Sequence, residues 1–127
     1  MWIYANPNPL GRTEPDCVIR SICIATGKDW YKVYDDLCRV GRSECSMPSV
    51  NHVWGLYLYD RGFEPFLLPK RCPECVTVRE FCEMYPEGTY IVGTGSHAVC
   101  IRNGDYLDSW DSGNETLSFY FRKKDEL

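Results

Sequence analysis

The chain has 127 residues, with 14 basic and 18 acidic side chains and a formal charge of −4. That length suits one domain with its own hydrophobic core, so no disulfide framework or metal is needed to hold it together. The acidic balance argues against a nucleic-acid binder, and no apolar run approaches the ~18 residues of a membrane-spanning helix.

Residues 1–14 hold Pro7, Pro9, Asn6, Asn8 and Gly11 and read as an irregular opening segment, with neither the basic nor the apolar region of a secretory signal. Asp16 then starts a helix whose apolar positions are Val18, Ile19, Ile22 and Ala25, stopped by Gly27. A second helix begins near Asp29 and carries Trp30, Val33, Tyr34 and Leu37, and 41–49 reads as a loop. A third follows Pro48-Ser49, with Val53, Trp54, Tyr57 and Leu58, and ends at Gly62. Residues 63–68 predict a short strand, confined to a sheet edge by Pro65.

Thr77 and Glu80 match a capping box that opens a helix to about Met84, closed by Pro86 and Gly88. From Thr89 onward, four apolar or alternating runs separated by turn residues predict strands. Helices first and an antiparallel sheet second make a single α+β domain over 1–127.

Asn103-Gly104 suits a two-residue hairpin turn. In that register opposite positions sum to 207, so Val99 faces Asp108 and His97 faces Trp110. Side chains alternate along a strand, which puts His97, Asp108 and Trp110 on one side as neighbours. A carboxylate there can hold the imidazole through Nδ1–H and fix its tautomer. Asp111 falls on the opposite side and is the backup acid.

Cys17 supplies a nucleophile. It lies in the first turn of the first helix, where the partial positive charge of the helix start favours a thiolate. Paired with His97, it can attack a carbonyl while the imidazolium protonates the leaving group. Its own N–H can donate to the developing oxyanion.

Other motifs compete. Cys72 and Cys75 have the spacing of a metal knuckle or a redox pair, but four zinc ligands would require a further pair from elsewhere. The remaining cysteines read as small core hydrophobes in the reduced state. His52 fits an exposed helical position, and Gly93-Thr94-Gly95 lets the chain turn into the histidine strand. Lys124-Asp125-Glu126-Leu127 spells a retention address that matters only to a chain on the secretory route. It reads as coincidence, and the expected location is cytoplasmic.

A helix-start Cys followed by a His and an acid on late adjacent strands resembles the papain-like cysteine peptidases. Asp108-Ser109-Trp110 is similar to their Asn-Ser-Trp, in which the first residue orients the histidine and Trp110 would shield that contact. Asp16-Cys17 resembles the Asp-Cys of bacteriocin-processing relatives, and the whole chain resembles small papain-fold proteins of gut bacteria and their phages.

The resemblance implies a papain-like fold and a thiol hydrolase with Cys17, His97 and Asp108 as its triad. It implies a peptide or protein substrate and no cofactor. The family's upstream Gln has no counterpart, since the chain contains no Gln; Asn8 or Asn6 would have to supply that amide. A papain-like fold serving as a protein-binding module, with weakened chemistry, is the alternative expectation.

Overall fold

The computed structural model of the chain describes residues 1–69 and 71–124. Among these, four helices accompany six strands: α1 (Cys17–Thr26), α2 (Trp30–Ser43), α3 (Asn51–Asp60) and α4 (Val78–Met84), with β1 (Trp2–Tyr4), β2 (Phe63–Leu67), β3 (Thr89–Gly93), β4 (Ala98–Arg102), β5 (Asp105–Asp108) and β6 (Phe119–Lys123). The strands form one sheet in the order β1-β5-β4-β3-β6-β2. The architecture is mixed α+β.

Helices cover both faces of the sheet, and the strand sequences show why. Along β4, Ala98 and Cys100 pack with Ile22, Leu37 and Trp54 of α1, α2 and α3. Val99 and Ile101 point the other way, against Val78 and Phe81 of α4. A strand buried on both sides reads as a continuous apolar run, not an alternation. The same division separates Ile91 from Tyr90 and Val92 in β3, and Phe121 from Tyr120 in β6.

The caps follow their sequence signals. Asp29 accepts the Lys32 N–H at 2.8 Å, and Thr77 and Glu80 complete a reciprocal capping box. Gly27 ends α1 at φ 75°, where a Cβ would be strained. The hairpin register is as expected: Ile101 pairs with Tyr106 and Arg102 with Asp105 around Asn103-Gly104. Pro65 lies in β2, which occupies the sheet edge beside β6.

Three expectations need correction. The sheet is not antiparallel throughout, because residues 2–4 are not irregular but form β1, parallel to β5, with Tyr4 opposite Asp108. Proline density hid this strand, yet the prolines begin only at Pro7 and leave Trp2-Ile3-Tyr4 free to pair. The loop expected from Gly41 starts later, since α2 runs through Ser43. Gly41 lies inside that helix, and a side chain there would strike the Ser46 carbonyl, 2.7 Å from its Cβ position.

The third correction concerns the cysteines. Cys72 and Cys75 form a disulfide, their Cα atoms 4.7 Å apart, so neither offers a thiolate to a metal. Cys23, Cys82 and Cys100 are buried as expected, but Cys45 is exposed. Of the C-terminal retention-like tetrapeptide, Asp125, Glu126 and Leu127 lie outside the described residues. No helix among the described residues is long and apolar enough to cross a membrane.

One buried acid couples the helical layer. Asp36 is 1 % exposed and accepts hydrogen bonds from Lys32, Arg39, Arg61 and the Tyr57 hydroxyl. Burial alone would raise its carboxyl, but the bonds from Lys32 and Tyr57 and the surrounding cations hold it below its ordinary value. The stabilisation from this acid is therefore complete above the usual carboxylate pKa of about 3.9 and fades as pH falls through the lower folded value. Replacing Asp36 with Ala should cost roughly 2–3 kcal/mol at neutral pH by urea denaturation, because α2 and α3 lose their shared acceptor. An unchanged midpoint would refute this role.

Candidate active site

The hairpin and α1 meet at one end of the sheet. His97 directly precedes β4, at the close of a turn built on Thr94. The Thr94 hydroxyl accepts the N–H groups of Ser96 at 3.1 Å and His97 at 2.9 Å, and the Thr94 N–H donates to the His97 carbonyl at 2.8 Å. Asp108 is the last residue of β5. Because β4 and β5 run antiparallel, the start of one lies beside the end of the other. The first residue of α1 is Cys17, and α1 lies across β4 and β5.

These placements bring Cys17, His97 and Asp108 into a line. His97 Nε2 lies 2.6 Å from Asp108 Oδ2. The His97 side chain also hydrogen-bonds the Cys17 thiol, which takes a second bond from the Ala98 backbone N–H. The sequence expectation assigned Nδ1 to the carboxylate; the structure uses Nε2, so Nδ1 is not the nitrogen that meets the acid. That exchange matters chemically, since a ring that holds the acid through one nitrogen has the other to serve a thiol. Trp110 packs its ring 4.9 Å from the imidazole and stays 44 % exposed, so it forms a wall of the cleft.

Asp108 is 4 % exposed and fully engaged. Besides His97 it accepts Ser112 Oγ at 2.7 Å and the Ser109 N–H at 2.8 Å, and Arg20 stands 3.8 Å away. Arg20, equally buried, pairs with Asp16 and donates to the Glu14 carbonyl at 3.1 Å. The remaining Asp16 oxygen accepts Asn8 Nδ2 at 3.0 Å and Trp30 Nε1 at 2.9 Å. A chain of buried polar groups thus runs from the opening segment, through α1, to the hairpin.

Arg20 and Ser112 were not singled out in the sequence. The signal for Arg20 was a cation four residues after Asp16, the spacing of a helical ion pair, within an otherwise apolar helix. Ser112 had no signal, because its contact depends on how the chain folds back after Trp110.

The spending of Asp16 has a second effect. It sits at the helix start but makes no side-chain bond to the first N–H groups of α1. Those donors, including that of Cys17, point out of the helix start and can meet a developing oxyanion. Asn8 and Asn6 do not take the expected oxyanion place. Asn8 donates to Asp16 while its oxygen accepts from Leu10 and Arg12, and Asn6 donates to the Arg12 carbonyl. Both organise the opening segment.

Asp111, the backup acid, hydrogen-bonds Tyr106 and the Gly113 N–H and faces Arg79, away from the imidazole. His52 contacts Ser46 at 3.1 Å on the exposed side of α3. The described residues contain no group of three or more His, Cys, Asp or Glu placed to hold a metal ion. The site opens into a cleft of about 420 Å³, lined by Cys17, His97, Trp110, Thr94, Ser49 and Asn51 among others.

Electrostatics favour an ion pair. Burial raises the Cys17 thiol, but the His97 and Ala98 hydrogen bonds and the charges of His97 and Arg20 outweigh it, and the net direction is downward. Burial lowers His97, yet the bonds to Asp108 and Cys17 carry it up to about 9. The two shifts, one down and one up, favour transfer of the thiol proton to the imidazole. Alkylation of Cys17 should therefore set in at lower pH than that of an ordinary thiol of pKa about 8.5. In His97→Ala the burial effect is less opposed, and the midpoint should move up toward or past that value. Mass-spectrometric alkylation rates against pH measure both; coincident profiles for the two proteins would refute the pairing.

No known family model, curated protein or solved structure matches the chain.

Proposed function

We propose that the chain is a thiol hydrolase of the papain-like kind, cleaving amide bonds in a peptide or protein substrate. The observation that carries the reading is the line from Cys17 through His97 to the buried Asp108, with the imidazole held by both neighbours. Its resemblance to papain-like peptidases rests on Asp16-Cys17, His97 and Asp108-Ser109-Trp110.

The chemistry follows from the charges. The Cys17 thiolate attacks the substrate carbonyl carbon, and the oxygen gains charge beside the N–H groups at the start of α1. As the C–N bond breaks, His97 donates its proton from Nδ1 to the departing amine, leaving a thioester on Cys17. Water then attacks the thioester while His97 takes one of its protons. The C–S bond breaks, the carboxylic acid departs, and the thiolate–imidazolium pair is restored. Asp108 keeps Nε2 protonated and the ring oriented in every step.

A second reading has its own observation. The chain has no Gln, and both Asn6 and Asn8 are occupied within the opening segment, so no side-chain amide from that segment reinforces the helix-start donors. A papain-like fold that binds a protein without turning it over is consistent with this.

The two readings separate in a peptide-library digestion followed by mass spectrometry. The hydrolase reading predicts cleavage by the wild type and none by Cys17→Ala or His97→Ala. Asp108→Ala should cleave at a rate reduced by about 100-fold or more, since the imidazole loses the acceptor that orients it. Peptide retention without cleavage, equal in the wild type and Cys17→Ala, would favour the binding module.

A further inference from the structure

The Cys72–Cys75 disulfide makes a poor structural staple. It joins residues three apart in the chain, so it closes a very short loop and links no distant elements. The entropy that a cross-link removes from an unfolded chain grows with the loop it closes, and here that loop is minimal. A domain of this length with its own core has no need of it. Cys72 is exposed and Cys75 half-buried, so one sulfur is open to attack by an outside thiolate. Exposed disulfides are the ones that thiols exchange with readily. The other cysteines among the described residues are free thiols, so a reductant has this bond to act on.

The chain runs from Cys75 straight into residues 76–79, which are laced to residues 113–117. The Leu117 N–H donates to the Val76 carbonyl at 2.8 Å, that of Val78 to Glu115 at 3.0 Å, and that of Arg79 to Gly113 at 3.0 Å. Thr77 also bridges to Thr116. The Arg79 guanidinium adds bonds to the Asn114 side chain and the Tyr106 hydroxyl. The same 109–117 segment carries Ser112, 1 % exposed, whose hydroxyl donates to Asp108 Oδ2. The carboxylate that holds His97 is thus supported by a loop that rests, on its other side, on the segment beginning at the disulfide.

We infer that Cys72–Cys75 is a thiol–disulfide exchange site for a dithiol reductant, and that its oxidised form holds the 109–117 loop in the arrangement that supports Asp108. A thiolate of the dithiol attacks Cys72 Sγ; the S–S bond breaks, Cys75 leaves as a thiolate, and a mixed disulfide forms. The reductant's second thiolate then attacks its own sulfur in that mixed disulfide, releasing Cys72 and closing the reductant's disulfide. Cys72 and Cys75 take up the protons, so two electrons and two protons pass from the dithiol to the protein. The reduced turn keeps the Glu74 N–H bond to the Arg71 carbonyl at 2.9 Å but loses its cross-link, and the entry to α4 slackens. The exchange site stands apart from the Cys17 chemistry; its effect on Cys17 rests on the thiol-hydrolase reading.

The test uses dithiothreitol as reductant and oxidised glutathione as oxidant, each removed under anoxic conditions before measurement. Iodoacetamide labelling with mass spectrometry should find Cys72 and Cys75 closed after oxidised glutathione and open after dithiothreitol. Amide hydrogen exchange should be about tenfold faster in the reduced protein at Val78, Arg79 and Leu117, and unchanged at Val92 and Val99 in the central strands. Cys17 alkylation at neutral pH should be about threefold slower after reduction. Cys72→Ser/Cys75→Ser should match the reduced protein in both readouts and ignore dithiothreitol.

A disulfide that resists dithiothreitol, thiols that oxidised glutathione does not close, or exchange and alkylation rates indifferent to reduction would overturn the switch. Faster exchange that extends to Val92 and Val99 would overturn it too, since it marks a plain staple. If Cys17 is not alkylated ahead of the other free thiols in either state, the hydrolase reading fails, and the amide exchange rates still decide the redox site.

Discussion

The carboxylate of Asp108 is the fixed point of this molecule. It is buried at the end of β5, where it receives the imidazole of His97, the hydroxyl of Ser112 and the N–H of Ser109. The main-chain oxygen of the same residue accepts the Trp2 indole at 3.1 Å and the Ala5 N–H at 3.0 Å. One residue thus orients the histidine and secures the opening segment. A buried carboxylate is costly unless its oxygens are satisfied, and here each has at least one strong donor.

Around that point the fold joins distant parts of the chain. Parallel pairing of β1 with β5 brings residues 2–4 beside 106–108, and the helix that follows the opening segment starts at Cys17. Arg20 then lies between Asp16 and Asp108, so the segment before α1, the helix and the hairpin share one set of charges. Because these groups are buried together, removing one leaves the others unpaired. Stability of this end of the fold and the position of the thiol are therefore coupled.

Much of this was legible in the sequence, for local reasons. The hairpin register followed from Asn103-Gly104, since the side-chain period of two leaves no freedom once the turn is fixed. The stop at Gly27 followed from capping chemistry, whereas Asp16 precedes α1 without capping it, its carboxylate being taken by Arg20, Asn8 and Trp30. What escaped was non-local. Trp2-Ile3-Tyr4 is too short to declare itself a strand and becomes one only because β5 offers an unpaired edge. The choice of Nε2 over Nδ1 depends on the ring's approach between α1 and β5, which no spacing encodes. Arg20 and Ser112 reach Asp108 only in three dimensions, and the Cys72–Cys75 disulfide reflects a turn geometry that the two-residue spacing permits without requiring.

A hydrolase working through this line of residues needs an imidazolium facing a thiolate before substrate arrives, so the charge state of His97 is decisive. NMR titration of the imidazole settles that state, with His52→Asn leaving His97 as the single histidine. His97 should stay doubly protonated through neutral pH and lose its proton near pH 9, with the midpoint falling by roughly a unit or more when Cys17 is replaced by Ala. A neutral His97 at pH 7 in the wild type, with a midpoint unmoved by that replacement, would contradict it.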